Sequence, residues 1–235
     1  NPADNGPRRC IDLDSKDAII MNSYLSECKD ADNDSQAIAG TNGPGPYKID
    51  NNYLEGAGEN VIFGGGRPAI VGNIPSDIRI TRNRFYQPYK WKVGDPSFAG
   101  INYAVKNHLE IKNGQRIFIN GNVLENTWWG AQGTSVVFNG VDGPTSTIEN
   151  VTFTNNIIRT APAAVTVTAN SYVNQLRATN SSLIRNNVIE DMYDAFLIYT
   201  PTSNVIVEHN TSFQTHYAYL EGYNPTNPMV GLTFT

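Results

Sequence analysis

A two-residue unit, ending in asparagine in six of its seven copies, recurs between short β-rich stretches along the chain. The copies are IIMNSYLSE, YKIDNNYLEG, IRITRNRFYQ, IFINGNVLEN, VTFTNNIIRT, LIRNNVIED and VIVEHNTSFQ. The second members of the pairs are Ser23, Asn52, Asn83, Asn122, Asn156, Asn187 and Asn210, separated by 29, 31, 39, 34, 31 and 23 residues. That spacing is too regular for chance and too variable for a helix-pair array of fixed period, so insertions of different length hang on a constant frame. Between the pairs lies a further apolar run: QAIAG, NVIFGGG, HLEIKNG, SVVFNG, AVTVTA, AFLIYT and YAYLEG. Each repeat thus holds three short strands of about four residues and no segment long enough for a crossover helix. A hairpin sandwich would need spaced Asn-Gly or Asp-Gly turns, which this pattern lacks. Coiling in one direction fits better. Asparagine at the second place tolerates a left-handed backbone, and amides stacked at the strand spacing of about 4.8 Å can hydrogen-bond along the stack. The spacing predicts an asparagine ladder.

Composition narrows the function classes. Charged residues are 17% of the 235, against roughly 25% in an ordinary soluble domain. Polarity is carried instead by 29 Asn, and 12 Tyr, 9 Phe, 20 Gly and 13 Pro leave a helical bundle without its usual helix formers. The same aromatic content excludes a disordered chain. A net charge of −5 argues against a nucleic-acid partner, which needs a basic stripe. No apolar run approaches the roughly 18 residues of a membrane span. The opening NPADNGPRRC is neither a signal peptide nor a Met start, which suggests a mature or trimmed segment. CIDLD reads as a first strand and VGLTFT as a second strand, so residues 1–235 form one domain with neither end capped. Neighbouring coils or a partner chain are expected at the open ends.

On these repeats the chain resembles the right-handed parallel β-helix of the pectate-lyase-like superfamily, over essentially its whole length. The segments DSQAIAGTNGPGPYKIDNNYLEGAGENVIFGG and VKNHLEIKNGQRIFINGNVLENTWW also resemble bacterial secreted β-helix proteins of unassigned activity. The resemblance implies an all-β, right-handed, single-stranded parallel solenoid of about seven coils, secreted or at a bacterial cell surface. It implies polysaccharide as partner, and a lyase or glycoside hydrolase cleft on the first-strand face. Two family signatures are missing. The Asp pair followed by Gly-His-Gly and Arg-Ile-Lys of polygalacturonases does not occur, nor does the Asp cluster by which pectate lyases hold calcium. No metal or other cofactor is therefore expected.

Alternation along a strand places candidate chemistry on HLEIKNG. With Leu109 and Ile111 inward, His108, Glu110 and Lys112 face outward together, between Asn60, Ile62 and Gly64 on one side and Ser135, Val137 and Asn139 on the other. Tyr199 lies farther along the same face. Lys112 is the candidate base or uronate-neutralising cation, and Glu110 the candidate general acid or base. Trp128 and Trp129, with Trp91 from a long insertion, are candidates for stacking on sugar rings. The expected groove has Glu110, Lys112 and Asn139 on its floor and the tryptophans as walls. The competing structural reading has Glu110 and Lys112 merely pairing while the tryptophans pack the long loop. A glycosidase needs two carboxyls about 5 to 10 Å apart, and Asp142 is the one nearer partner for Glu110 on this reading. Cys10 and Cys28 precede first strands of consecutive coils, close enough for a disulfide; two free thiols are the alternative. A non-catalytic binding module and a structural segment of a larger assembly stand beside the enzyme reading.

Overall fold

Runs rich in Ile, Val, Phe and Tyr, too short for helices and broken by asparagine turns, become strands here. The computed structural model describes residues 6–66, 68–70, 72–140, 146–169, 179–199, 202–222 and 229–235. In chain order the strands begin with β1 (Arg9–Asp12), β2 (Ala18–Met21), β3 (Tyr24–Cys28), β4 (Gln36–Gly40), β5 (Tyr47–Asp50), β6 (Tyr53–Gly56) and β7 (Glu59–Phe63). They continue with β8 (Ser76–Thr81), β9 (Arg84–Tyr86), β10 (Asn107–Ile111), β11 (Gly114–Asn120), β12 (Val123–Glu125), β13 (Thr134–Gly140) and β14 (Ile148–Thr154). The last are β15 (Ile157–Ala169), β16 (Thr179–Arg185), β17 (Val188–Tyr199), β18 (Thr202–Glu208), β19 (Thr211–Gly222) and β20 (Thr233–Phe234). Among the described residues one 3₁₀ turn, Tyr89–Trp91, sits in the insertion between β9 and β10.

Among the described residues the strand pairings are parallel, and each links a strand to its equivalent one repeat later. One sheet runs β2-β5-β8-β11-β14-β16-β18-β20. The other runs β1-β4-β7-β10-β13-β15 and returns through β12-β9-β6-β3, so that it nearly closes on itself. The result is an all-β, parallel, solenoid-like architecture. Ile38, Val61, Leu109, Val136 and Val165 form one aligned inward lane, and Ile49, Ile80, Ile119, Phe153 and Ile184 another; all are completely buried.

Strand length departs from expectation in the later repeats. The third strand of one repeat runs without a loop into the first strand of the next, giving β15, β17 and β19 of 13, 12 and 12 residues. A single left-handed residue, Thr160 (φ 54°) or Asp191 (φ 58°), turns the corner there. Earlier repeats place insertions at the same corner, including residues 87–106.

The ladder is present. Asn52, Asn83, Asn122 and Asn156 each donate Nδ2–H to the Oδ1 of the next asparagine, at 2.9–3.1 Å, and Asn187 does the same to Asn210. Each of these Oδ1 atoms also accepts a backbone N–H from the preceding ladder residue. The left-handed residue, however, is the first of each pair, not the ladder asparagine. Asn22, Asn51, Arg82, Gly121, Asn155, Asn186 and His209 have φ between 52° and 67°. The first position makes the turn, which frees the second to point its amide inward.

Cys10 and Cys28 are bonded, with Cα atoms 5.7 Å apart. Their setting differs from expectation: Cys10 lies in β1 and Cys28 ends β3, so the bond ties a first strand to a third strand rather than two consecutive first strands.

Candidate functional site

The sequence places HLEIKNG on a first strand, and β10 occupies that place. Leu109 and Ile111 are in the core, as alternation requires. His108 is not at an open surface: it is 0 % exposed. Its Nδ1 lies 2.8 Å from Ser135 Oγ and its Nε2 2.9 Å from the Glu125 carbonyl. Pairing of β10 with β7 and β13 aligns His108 with Asn60 and Ser135. Asn60 Nδ2 likewise donates to the carbonyls of Leu54 and Tyr86. These side chains stitch first strands to the ends of third strands. Burial depresses the His108 pKa to about 4, partly opposed by backbone hydrogen bonding. The ring is enclosed between Ser135 and the Glu125 carbonyl instead of facing outward as the alternation predicts.

Glu110 is also buried, at 2 % exposed. Its Oε2 lies 3.3 Å from Lys112 Nζ, and Lys112 remains half-buried. The pairing predicted by the structural alternative is therefore present. Burial raises the Glu110 pKa to about 7; Lys112 and Lys106 pull it down, and the negative charge of Glu59 pushes it up. Glu59, on β7, accepts a hydrogen bond from Gln36 Nε2 at 2.8 Å and stands 3.5 Å from Lys106 Nζ. Lys106 also pairs with Asp34. A pit of about 110 Å³ opens over this cluster, lined by Arg9, Asp34, Gln36, Glu59 and Lys112 among others. Gly64 and Gly65, both left-handed at φ 89° and 82°, form the turn at its edge.

The reading from sequence missed Glu59, Gln36 and Lys106. Glu59 and Gln36 share the parity of the inward residues, but they stand at strand starts and pair with each other across β4 and β7. A charged residue at an inward-parity strand start is the signal that could have found them. Asp142, the partner carboxyl suggested for Glu110, lies outside the described residues.

The tryptophans divide. Trp91 is 1 % exposed and packs with Tyr103, Val105, Ala57 and Trp128 in a second apolar cluster beneath the insertion. Trp91 and Tyr103 meet edge-to-face at 5.9 Å. Trp91 and the largely buried Trp128 both pack into this cluster, the contact that the loop-packing alternative describes, although Trp128 also borders an open groove. Trp129 is 74 % exposed. It borders an opening of about 900 Å³, together with Trp128, Lys92, Pro162, Asp191 and Tyr193. Tyr193, 52 % exposed, is stacked on His216 with ring centroids 4.5 Å apart. Lys92 Nζ lies 5.1 Å from the Tyr89 ring centre and 6.0 Å from that of Trp128.

The single groove expected from sequence is thus two neighbouring openings. Glu110, Lys112 and Asn139 do not border the aromatic groove. Asn139 follows Phe138, the partner of Ile111, so it sits beside Lys112 on the next strand but outside the pit lining. Tyr199, exposed on β17, borders neither opening. Loop 29–35 joins the two, giving Ala31 to the groove and Asp34 to the pit. Lys106 joins them too, because its carbonyl accepts from Thr127 Oγ1 of the groove while its Nζ faces Glu59.

Among the described residues no group of three or more His, Cys, Asp or Glu is placed to hold a metal ion. No described helix is long and apolar enough to cross a membrane. No protein-family model, curated protein or solved structure matches the chain.

Proposed function

We propose that the protein is a secreted or cell-surface bacterial polysaccharide-active protein, built as a right-handed parallel β-helix of about seven coils, that holds a sugar chain in its aromatic groove. The observation that carries this reading is the exposed Trp129 facing an open groove that also presents Tyr193. Exposing a large indole to water is unfavourable, and a flat apolar face beside polar groups matches the face of a pyranose ring. An opening of about 900 Å³ suits several sugar units. The disulfide fits an oxidising compartment outside the cytosol.

Within the groove itself, binding is better supported than cleavage. Asp191 is the one carboxylate among its described lining residues, whereas glycoside cleavage calls for two. Affinity electrophoresis through gels containing xylan, arabinan, galactan, β-glucan or polygalacturonate tests the reading. Retardation in at least one gel, lost in Trp129→Ala, is the expected result. Migration unchanged in every gel would refute it.

A further inference from the structure

We propose that the sheet of second strands carries a binding site for a small aromatic carboxylate, centred on Pro46 and Lys48. The inference stands apart from the polysaccharide reading and uses none of the groove residues.

The site follows from register. Pairing of β2, β5, β8 and β11 sets Ile19, Lys48, Arg79 and Phe118 in one outward column, with neighbours about 4.8 Å apart. A second column, Asp17, Pro46, Asp77 and Arg116, stands one residue before the aligned Ala18, Tyr47, Ile78 and Ile117. Asp17, Asp77 and Arg116 are left-handed, with φ of 58°, 57° and 53°. Proline cannot follow them, because its ring fixes φ near about −65°. A hollow of about 370 Å³ lies across this break in the second column.

Its walls differ in chemistry. Ile19 is 64% exposed and Pro46 is exposed as well, so one side is apolar. On the other side the Arg79 guanidinium carbon stands 4.9 Å from the Phe118 ring centre. The ring covers one face of the guanidinium and leaves the N–H donors at its edge to a ligand. Among the described residues no carboxylate pairs with Arg79. Asp77, two residues earlier, is taken by Arg116 through hydrogen bonds of 2.7 and 2.9 Å. Lys48 is loosely engaged. Its Nζ is 3.5 Å from Asp50 Oδ2, an atom that already accepts from Arg82 at 2.5 Å. Two cations with open donors thus stand beside an apolar wall, on a chain whose net charge is −5.

That combination selects the ligand. A guanidinium held flat against a ring presents its donors as a fork, which fits a planar carboxylate through two parallel hydrogen bonds. Phosphate would meet the charge but leave Ile19 and Pro46 against water. An uncharged ring would cover those two but leave Arg79 without an acceptor. A carboxylate with one aromatic ring satisfies both, its acid group at Arg79 and Lys48 and its ring on Pro46 and Ile19. The hollow is of small-ligand size.

The test is titration of the full chain with benzoate, followed by NMR of isoleucine methyl and side-chain N–H signals. Saturable shifts at the Ile19 methyl and Arg79 Nε–H are expected, with a Kd of about 1 mM or below, and none at Trp129 Nε1–H. Acetate, inorganic phosphate, galacturonate and benzyl alcohol should each bind roughly tenfold more weakly or worse. Arg79→Gln should lower benzoate affinity roughly tenfold, and Arg79→Lys should not restore it, since an ammonium lacks the fork. The shifts are read on the wild type, so they locate the site even if a variant fails to fold. No saturable shift at Ile19 and Arg79 with benzoate up to about 10 mM overturns the site. So does equal affinity for any of the four competitors, or unchanged affinity in Arg79→Gln. None of these results touches the groove reading, which is decided by gel retardation and Trp129→Ala.

Discussion

A single asparagine shows how this chain converts composition into structure. Asn156 is 0 % exposed; its Oδ1 accepts from both the backbone and side chain of Asn122, and its Nδ2 donates to Asn187. Asn156→Ala leaves two buried donors of Asn122 without an acceptor, and we expect a loss of about 1–3 kcal/mol for such orphaned groups. Asn155, one residue earlier, has φ 56°, so Asn155→Gly should stay within about 1 kcal/mol of wild type. Urea unfolding of the two variants checks the contrast, and equal losses would contradict it. The ladder was legible because every copy keeps the pair; which member turns the chain was not, since asparagine suits both places. His108 gives a second test. Its folded pKa of about 4 lies below the 6.5 of a free imidazole. Between those values the unfolded chain binds more protons, so this contribution is complete above pH 6.5 and is lost as pH falls toward 4. It amounts to something on the order of 3 kcal/mol. His108→Asn copies the residue at the aligned position 60 and should lack this acid loss. Glu110, raised by burial, contributes the opposite slope in both proteins. The wild-type-minus-variant difference in melting temperature between pH 4 and 7 therefore reports His108, and a flat difference would refute the assignment.

At the scale of elements, apolar alternation located the strands and their ranks, because each strand buries one face against the same core. It could not show that third and first strands fuse in β15 and β17, where one left-handed residue, Thr160 or Asp191, replaces a loop. Nor could it tell Trp91 from Trp129, since an insertion can build a core of its own. The difference is measurable. Trp91→Ala opens a cavity in the Trp91–Tyr103–Val105 cluster and should destabilise by about 3 kcal/mol or more. Trp129→Ala, at an exposed site, should leave the melting temperature nearly unchanged. The disulfide belongs to this scale as well. It closes a separation of 18 residues, for which loop entropy predicts about 3 kcal/mol. Reduction should lower the melting temperature by an amount reproduced in the Cys10→Ser, Cys28→Ser double variant, and an unchanged melting temperature would show that neighbouring strands alone hold β1 in place.

Across the whole molecule, the solenoid supplies a rigid frame and the insertions supply the site. The frame brings Gln36, Glu59 and Lys112 to one pit although they are spread over more than seventy residues of chain. Sequence reasoning found Glu110 and Lys112 because they lie on one strand; it missed Glu59 because that contact depends on register between repeats. The groove arises where residues 87–106 and 126–133 fold over the corner, raising Trp129 beside Tyr193 of a later repeat. If Trp129 is a sugar platform, Trp129→Ala should weaken binding roughly tenfold, equivalent to about 1.4 kcal/mol. The most direct test of the account is a crystal structure with an oligosaccharide of the retarded polymer. Sugar rings stacked on Trp129 and running past Tyr193 toward Lys106 are the predicted result, whereas a chain bound on the opposite sheet, away from Trp129, would contradict it.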